Sequence, residues 1–219
     1  MSSLHKIIFN KSKSLSRQNL YEFFGEIIGT DSKEKALLNI GSGGAISEII
    51  SCYDFTSSIS IDVDANRNPD VVMDACSLRF PDNSFDIVCA IEVLEHIPTP
   101  QAAVDEIYRV LKPSGKFIMS TPFVFGIHDE PYDYYRYTRY GLEYLLRGFE
   151  SVHVRERNSY FSTIVVLLSR LIMSKNKTDR VLGAAFTALS ALLSPVIWVL
   201  NSLISSRNIT TGYFLTATK

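Results

Sequence analysis

Residues 37–45 read LLNIGSGGA, an apolar run followed at once by the turn Gly41 to Gly44. Glycine has no β-carbon, so a turn of this composition lets the backbone approach a ligand closely. The next apolar run, SSISID, ends in Asp62, roughly 20 residues further on, which is the spacing at which a carboxylate reaches ribose hydroxyls in nucleotide-binding α/β folds. These two features predict a strand, a glycine turn and a ribose-bearing cofactor.

The residue at position 46 bears on the kind of cofactor. Ile46 stands where a dinucleotide fingerprint has its third glycine, so a pyrophosphate cofactor such as NAD is disfavoured. The chain also lacks a second recognisable substrate domain. A nicotinamide-dependent oxidoreductase therefore stays as a weakened alternative, which NAD binding would revive.

Outside the glycine turn, short apolar runs alternate with stretches that favour helices. ALLNI, SSISIDV, FDIVCAI and GKFIMSTP have the length and composition of buried strands. The amphipathic stretch QAAVDEIYRVLKPSG predicts a helix that ends at Pro113 and Gly115. SVHVRER and TTGYFLTATK add later strands. The alternation predicts an α/β fold around a mostly parallel sheet.

Bulk composition limits the classes of partner and compartment. The 219 residues carry a formal net charge of −1, which provides no overall positive field for nucleic acid. The three cysteines lack the paired spacing of a zinc site, so no metal is predicted and reduced cytosolic thiols are expected. The N-terminus lacks a signal-peptide pattern. A cytoplasmic protein without a nucleic-acid partner is therefore expected.

Residues 71–97, VVMDACSLRFPDNSFDIVCAIEVLEHI, add a more specific pattern. With the glycine turn and Asp62, this run resembles the class I S-adenosylmethionine-dependent methyltransferases, in particular their small-molecule "type 11" branch. The resemblance covers residues 36–122 well and 130–158 loosely. It implies a Rossmann-like, seven-stranded, mostly parallel sheet with an antiparallel last strand, and S-adenosylmethionine as cofactor.

The resemblance also assigns residues to the cofactor. It implies that Gly41 and Gly43 form the turn beneath the methionine moiety, that Asp62 binds the ribose, and that Asp74 binds the adenine edge. The full predicted cofactor set is Asn39, Gly41, Ser42, Gly43, Asp62, Val63, Asp74, Ala75 and Glu92.

Asn39 departs from the family pattern. Members usually carry Glu or Asp at this position, where the acid helps to hold the methionine amino group. The Asn39 side chain can accept a hydrogen bond but brings no charge. This departure motivates an alternative function, that of a methyltransferase-like binding protein that has lost catalysis and docks at a membrane or a partner.

The run GIHDEPYDYYRYTRYG, residues 126–141, supplies candidates for binding the methyl acceptor. It follows a predicted strand, at the sheet edge where ligands bind in this fold class. His128 is the predicted general base and Asp129 its orienting carboxylate, which suits O-methylation. Tyr132, Tyr135 and Arg136 are predicted to line the acceptor pocket, unless they only pack and pair with each other.

An apolar insertion, residues 159–206, precedes the last strand. Val181 to Ser206 carry no charge and pass the length test for a membrane span, but Pro195 divides them. Helices lying in the membrane plane are therefore expected, with Trp198 as an interfacial anchor and basic side chains at the lipid headgroups (Arg170, Lys175 and Lys177). The alternatives are a helical cap buried on the domain and a homodimer interface.

These observations predict one domain: an N-terminal arm and lid helix (1–35), a cofactor-binding core (36–158), the apolar helical insertion (159–206) and a closing strand (207–219). The expected function is methyl transfer to a small or lipid-linked acceptor, with peripheral attachment to the inner face of a membrane.

Overall fold

A computed structural model describes residues 19–28, 33–204 and 206–219. The predicted basic arm at residues 1–17 lies outside them. The described residues divide into two compact units. The larger unit contains Leu20–Phe123, Ile127–Arg155 and Tyr213–Lys219, and the smaller one contains Asn19, Val124–Gly126 and Glu156–Gly212. The helices of the insertion contact mainly one another. The single-domain organisation expected from the sequence stays a prediction.

The larger unit is built on a seven-stranded sheet formed by described residues, in the order β3-β2-β1-β4-β5-β7-β6. The strands are β1 (Ala36–Ile40), β2 (Ser57–Asp62), β3 (Val71–Val72), β4 (Phe85–Ile91), β5 (Leu111–Pro122), β6 (Ser151–Glu156) and β7 (Gly212–Thr218). Strands β1 to β5 run parallel to one another. Their carboxyl ends therefore meet at one edge.

Strand β7 runs in the opposite direction, as its end contacts show. Ser114 N, near the start of β5, donates a hydrogen bond to Lys219 O, just past the end of β7. Glu150 N, just before β6, donates to Thr218 O in the same way. The start of each neighbour thus meets the end of β7, which makes it antiparallel to both. The predicted α/β, Rossmann-like sheet with an antiparallel last strand is confirmed.

Helices cover both faces of this sheet. They are α1 (residues 19–28), α2 (Gly44–Ile50), α3 (Pro100–Val110) and α4 (Arg139–Leu145). Alternate residues of one strand enter opposite cores, since strand side chains alternate between faces. Leu38 and Val88 pack with α3, whereas Leu37 and Ile87 pack with α1. Helix α1 thus packs in the core, and its role as a lid stays a prediction.

Helix α3 ends earlier than the sequence suggested. It stops at Val110, and Leu111 already pairs with Phe85 in the sheet. Pro113 and Gly115 therefore lie within β5 and do not end the helix. Pairing along β4 outweighs the local tendency to continue the helix, and the register shift between Phe85 and Ile87 accommodates the irregular start of β5.

The smaller unit contains three helices of the insertion: α5 (Tyr160–Arg170), α6 (Lys177–Leu192) and α7 (Ser194–Leu203). As expected from Pro195, α6 and α7 are separate and meet at an angle of 76°. Among the described residues, no single helix has the length and hydropathy needed to cross a membrane, although the bent pair α6–α7 passes that test on length and composition.

Candidate active site

The predicted cofactor residues lie on loops that follow parallel strands of one sheet. Gly41 follows β1, Asp62 ends β2, Asp74 follows β3 and Glu92 follows β4. Because these four strands are parallel, the loops meet at the same edge of the sheet. The fold therefore brings together residues that are widely separated in the sequence.

The turn after β1 requires glycine. Gly41 has φ +90° and Gly43 has φ +85°, values that other residues rarely adopt. A β-carbon on Gly41 would also lie 2.6 Å from Val93 Cγ2. Gly41 N donates a 2.8 Å hydrogen bond to Ile61 O, which fixes the turn to β2. The loop is thus a preformed backbone cradle.

Asp62 links this turn to the end of β2. Its Oδ2 accepts a 2.9 Å hydrogen bond from Ser42 N, and its Oδ1 accepts one of 2.9 Å from Asp64 N. A carboxylate offers about four lone pairs, so both oxygens can still accept ribose hydroxyls. The neighbouring Val63 side chain is 71% exposed and offers an apolar surface beside that position.

The loops after β3 and β4 complete the predicted set. Asp74 is exposed, and its Oδ1 accepts a 2.8 Å hydrogen bond from Cys76 N. Ala75 beside it is buried. Glu92 adopts φ +57°, which is uncommon for a residue with a side chain, and its Oε1 accepts a 2.7 Å hydrogen bond from Ser120 Oγ. That bond holds Glu92 against β5.

Asn39 tests whether these residues fit S-adenosylmethionine. The side chain is 2% exposed; its Nδ2 donates a 3.0 Å hydrogen bond to Gly41 O, and its Oδ1 accepts none from the described residues. A buried oxygen without a donor is costly, and a ligand ammonium group is one kind of donor that can satisfy it. The cradle, Asp62 and this oxygen together fit the expected cofactor.

A second group of polar side chains lies at the same edge, on the loops after β4 and β5. Glu95 is 0% exposed, and its Oε1 lies 3.8 Å from His96 Nε2 and 3.8 Å from His128 Nε2. The two imidazole rings meet edge to face with centroids 5.0 Å apart. Tyr134 N donates a 2.9 Å hydrogen bond to Glu95 O, which fixes the later loop to the earlier one.

The structure gives His128 a different carboxylate from the one predicted. Its Nδ1 lies 3.3 Å from Asp133 Oδ2, and its backbone N–H donates a 2.9 Å hydrogen bond to the same oxygen. The predicted partner, Asp129, is exposed and lies 3.9 Å from His96 Nε2 instead. Asp133 reaches His128 because the loop turns back over the four intervening residues, whereas adjacent residues need a special conformation to converge.

Charge and burial set the protonation of this group. The Arg136 guanidinium, hydrogen-bonded to both oxygens of Asp133, holds the pKa of that carboxyl well below its ordinary range. Burial raises the pKa of the Glu95 carboxyl above its ordinary value, and the neighbouring His128 opposes this shift. His128 Nδ1 lies 3.3 Å from Asp133 Oδ2, which accepts, and 3.4 Å from Arg136 Nη2, which donates. In the tautomer that places the Nδ1 proton toward Asp133, Nε2 is the acceptor atom.

The predicted acceptor residues have different environments. Tyr132 is 63% exposed. Tyr135 donates a 2.8 Å hydrogen bond from its hydroxyl to Pro98 O and stacks on Tyr137. Arg136 is engaged with Asp133. Packing and pairing within the loop therefore account for Tyr135 and Arg136, and their contact with an acceptor stays a prediction.

Sequence reasoning missed three members of this group: Glu95, His96 and Asp133. The available signal was topological, because Glu95 and His96 follow β4 and His128 follows β5, two neighbouring parallel strands.

Comparison with known proteins agrees with this geometry. Residues 15–119 match a protein family described as a methyltransferase domain. Over these residues the chain is similar to class I methyltransferases. The match covers just under half of the chain and includes the glycine turn, Asp62, Asp74 and the Glu95–His96 pair.

Two curated relatives are similar to short stretches of this chain. A sterol 24-C-methyltransferase of Aspergillus fumigatus is 40% identical over 70 residues, which are 32% of this chain and 19% of that protein. A demethylmenaquinone methyltransferase of Anoxybacillus flavithermus is 41% identical over 66 residues, or 29% of this chain and 28% of that protein. The chain thus matches less than a third of the length of either relative.

A solved structure shows the same fold over most of the chain. The crystal structure of SpnF, a 4+2 cyclase, superposes with a TM-score of 0.61 at 21% identity, covering 91% of this chain and 80% of that one. At this identity the likeness shows the fold alone.

Proposed function

We propose that this chain transfers the methyl group of S-adenosylmethionine to a hydroxyl of a small or lipid-linked acceptor. The observation that carries the proposal is the position of His128 and Glu95 at the same sheet edge as Asp62 and the glycine turn. Base and cofactor residues on neighbouring loops are the arrangement that transfer to a hydroxyl needs.

The chemistry follows from these positions. S-adenosylmethionine supplies an electrophilic methyl carbon on a sulfonium. The acceptor oxygen forms the new bond to that carbon, the sulfur–carbon bond breaks, and its electron pair stays on sulfur. In the metal-free protein the hydroxyl proton passes to His128 Nε2, whose Nδ1–H is held by Asp133. The protein otherwise aligns the two reactants and excludes water.

The relatives support a lipid-like acceptor. They are named for a sterol and for demethylmenaquinone, both predominantly apolar molecules. The sterol enzyme is named for transfer to carbon, so the choice of oxygen in this chain rests on the histidines alone.

A transfer assay tests the proposal. The chain is incubated with S-adenosylmethionine labelled in its methyl group and with phenolic quinone precursors or polyprenyl-linked sugars. We expect label in a methyl ether, and at least a hundredfold lower rate for His128→Gln, since a positioned base typically contributes about 10²–10⁴-fold. The exposed His153 provides the matched control, because His153→Gln leaves the loop intact.

Two results would contradict the proposal. Label on carbon would retain methyl transfer but exclude the hydroxyl acceptor. Cofactor binding without transfer to any acceptor would favour the alternative binding protein, which the retained Asp62 and His128 geometry makes the weaker candidate.

We propose in addition that α6 and α7 attach the chain peripherally to a membrane, at its cytoplasmic face. Several of their apolar side chains are exposed, among them Leu192 at 77%, Trp198 at 72% and Leu203 at 74%. Apolar helices with exposed faces, near basic residues such as Lys175 and Lys177, suit an interface between lipid tails and anionic headgroups.

Flotation with phosphatidylglycerol-containing vesicles tests the attachment. We expect the chain to float with the vesicles and the double variant Trp198→Ser/Leu203→Ser to lose most of this binding. Tyr140→Ser removes a similarly exposed aromatic side chain from α4 and should have no effect. Equal flotation of all three proteins would refute the attachment, and dimerisation lost only in the double variant would assign the surface to a homodimer.

A further inference from the structure

The side chains of Glu95, His96 and His128 converge on one point. Their ligand atoms, one from each residue, all lie within 4.8 Å of one another. Two ligands bound tetrahedrally at about 2.0–2.1 Å from one ion lie about 3.3 Å apart. The two distances of 3.8 Å from Glu95 Oε1 to the imidazole nitrogens would each shorten by about half an ångström around an ion. The two ligand nitrogens lie within 4.8 Å of each other and would have to approach by up to about 1.5 Å.

Glu95 provides an independent indication of a ligand. The side chain is 0% exposed, and Oε1 accepts no hydrogen bond from any residue that the structure describes. Its other oxygen, Oε2, lies 3.4 Å from Thr121 Oγ1. A fully buried carboxylate oxygen without a partner is costly, and it faces the gap between two imidazole nitrogens. A bound cation would satisfy it.

The outer contacts of both histidines prepare their Nε2 atoms for coordination. His96 Nδ1 lies 2.7 Å from Tyr132 O, an atom that only accepts, so Nδ1 carries the proton. His128 Nδ1 lies 3.3 Å from the Asp133 carboxylate, which can accept its proton, and 3.4 Å from Arg136 Nη2. Histidine ligands of metals typically donate their second N–H to a carbonyl or a carboxylate, which fixes the tautomer and orients the ring.

We propose that Glu95, His96 and His128 bind a divalent transition-metal ion of the zinc class. Two imidazole nitrogens and one carboxylate oxygen suit such ions better than magnesium or calcium, which prefer oxygen ligands. The composition of the sequence predicted no metal, because the donors are spread over two loops and include no cysteine. Three protein ligands leave a position for water or a substrate oxygen.

The role of the ion rests on the proposed function, whereas its binding does not. An acceptor hydroxyl coordinated at the open position would have a lowered pKa and would lose its proton to solvent before attacking the methyl carbon. His128 would then be a ligand, and the ion would replace it in activating the hydroxyl.

Metal titration of the full chain tests the site without cofactor or acceptor. After removal of metal with a chelator, Zn²⁺ is titrated calorimetrically and Co²⁺ by visible absorption. We expect one ion per chain at the cluster and at least tenfold weaker binding by His96→Gln and by His128→Gln. His153→Gln, which changes an exposed histidine on β6, should bind as the unaltered chain does. Circular dichroism verifies that each variant is folded.

Three outcomes would overturn the proposal: no binding by the folded chain, binding that both variants retain, or a Co²⁺ spectrum with the strong near-ultraviolet band of thiolate ligands. The last would assign the ion to cysteines such as the exposed Cys52. Metal binding without methyl transfer would leave the site standing and refute only the proposed function.

Discussion

Asp62 Oδ2 accepts a 2.9 Å hydrogen bond from Ser42 N, so the end of β2 holds the glycine turn at the end of β1. The same carboxylate is the predicted ribose ligand. One side chain thus shapes the cofactor loop and offers acceptors to the cofactor.

Replacing Asp62 should therefore affect cofactor binding strongly. We expect Asp62→Ala to weaken the binding of S-adenosylmethionine and S-adenosylhomocysteine at least tenfold, because both the loop and the ribose lose an acceptor. Isothermal titration calorimetry measures this. Asp54→Ala, which alters an exposed carboxylate before β2, serves as control and should bind normally. Equal affinities for the two variants would show that Asp62 is not a ligand.

Gly41 is the position in the cofactor turn where a methyl group should be least tolerated. Gly41→Ala combines φ +90° with a 2.6 Å approach to Val93 Cγ2, so we expect weaker cofactor binding and a destabilisation of about 1–3 kcal/mol. Gly148→Ala, whose added β-carbon would meet nothing within 4 Å, is the matched control. Denaturant unfolding and calorimetry on both variants measure the effects, and indistinguishable results would mean that the turn can rearrange.

The Glu106–Arg109 pair should make stability depend on pH. Hydrogen bonds from Arg109 lower the pKa of Glu106, and Leu78 N adds a 2.7 Å bond to its Oε2. The pKa of Glu106 is lower in the folded state than in the unfolded state. Its contribution to the free energy of unfolding is therefore fully present above the ordinary pKa of 4.5 and is lost as pH falls through the folded-state pKa. We expect Glu106→Gln to cost on the order of 1 kcal/mol at pH 7 and little at pH 3. Urea unfolding at the two pH values tests this, and an equal loss at both would be inconsistent with the assigned charge effect.

Replacing Gly183 by alanine should change the stability of the protein in a direction that distinguishes helix propensity from packing. Helix propensity alone predicts that Gly183→Ala in α6 stabilises by about 0.5–1 kcal/mol. The structure predicts destabilisation, because the added β-carbon would lie 2.1 Å from Ile172 N, a backbone atom of the same unit. Far-ultraviolet circular dichroism during thermal unfolding distinguishes the two. A higher melting temperature would show that α6 does not pack closely on residues 171–173.

Much of the fold could be predicted because local patterns specify it. The apolar runs became β1, β2, β4 and β5, and the glycine turn lies where LLNIGSGGA indicated. The two-residue strand β3 was too short to show a period, and the start of β5 was missed because strand pairing outweighed helix propensity at Leu111.

The candidate site was only partly predictable. Residues in the cofactor loops follow strand ends directly, so their position came from the sequence pattern. The sequence pattern did not identify the carboxylate that contacts His128, because the choice between Asp129 and Asp133 depends on the path of an irregular loop.

The sequence by itself determined the order of strands and helices along the chain, the glycine turn and the separation of α6 from α7. These features depend on the hydrophobic period, on the conformations open to glycine and on proline, all of which act over a few neighbouring residues. The tertiary structure decided which side chains meet. Glu95, His96 and His128 come together only because β4 and β5 are parallel neighbours whose following loops share one edge, and burial there leaves Glu95 Oε1 without a partner among the described residues.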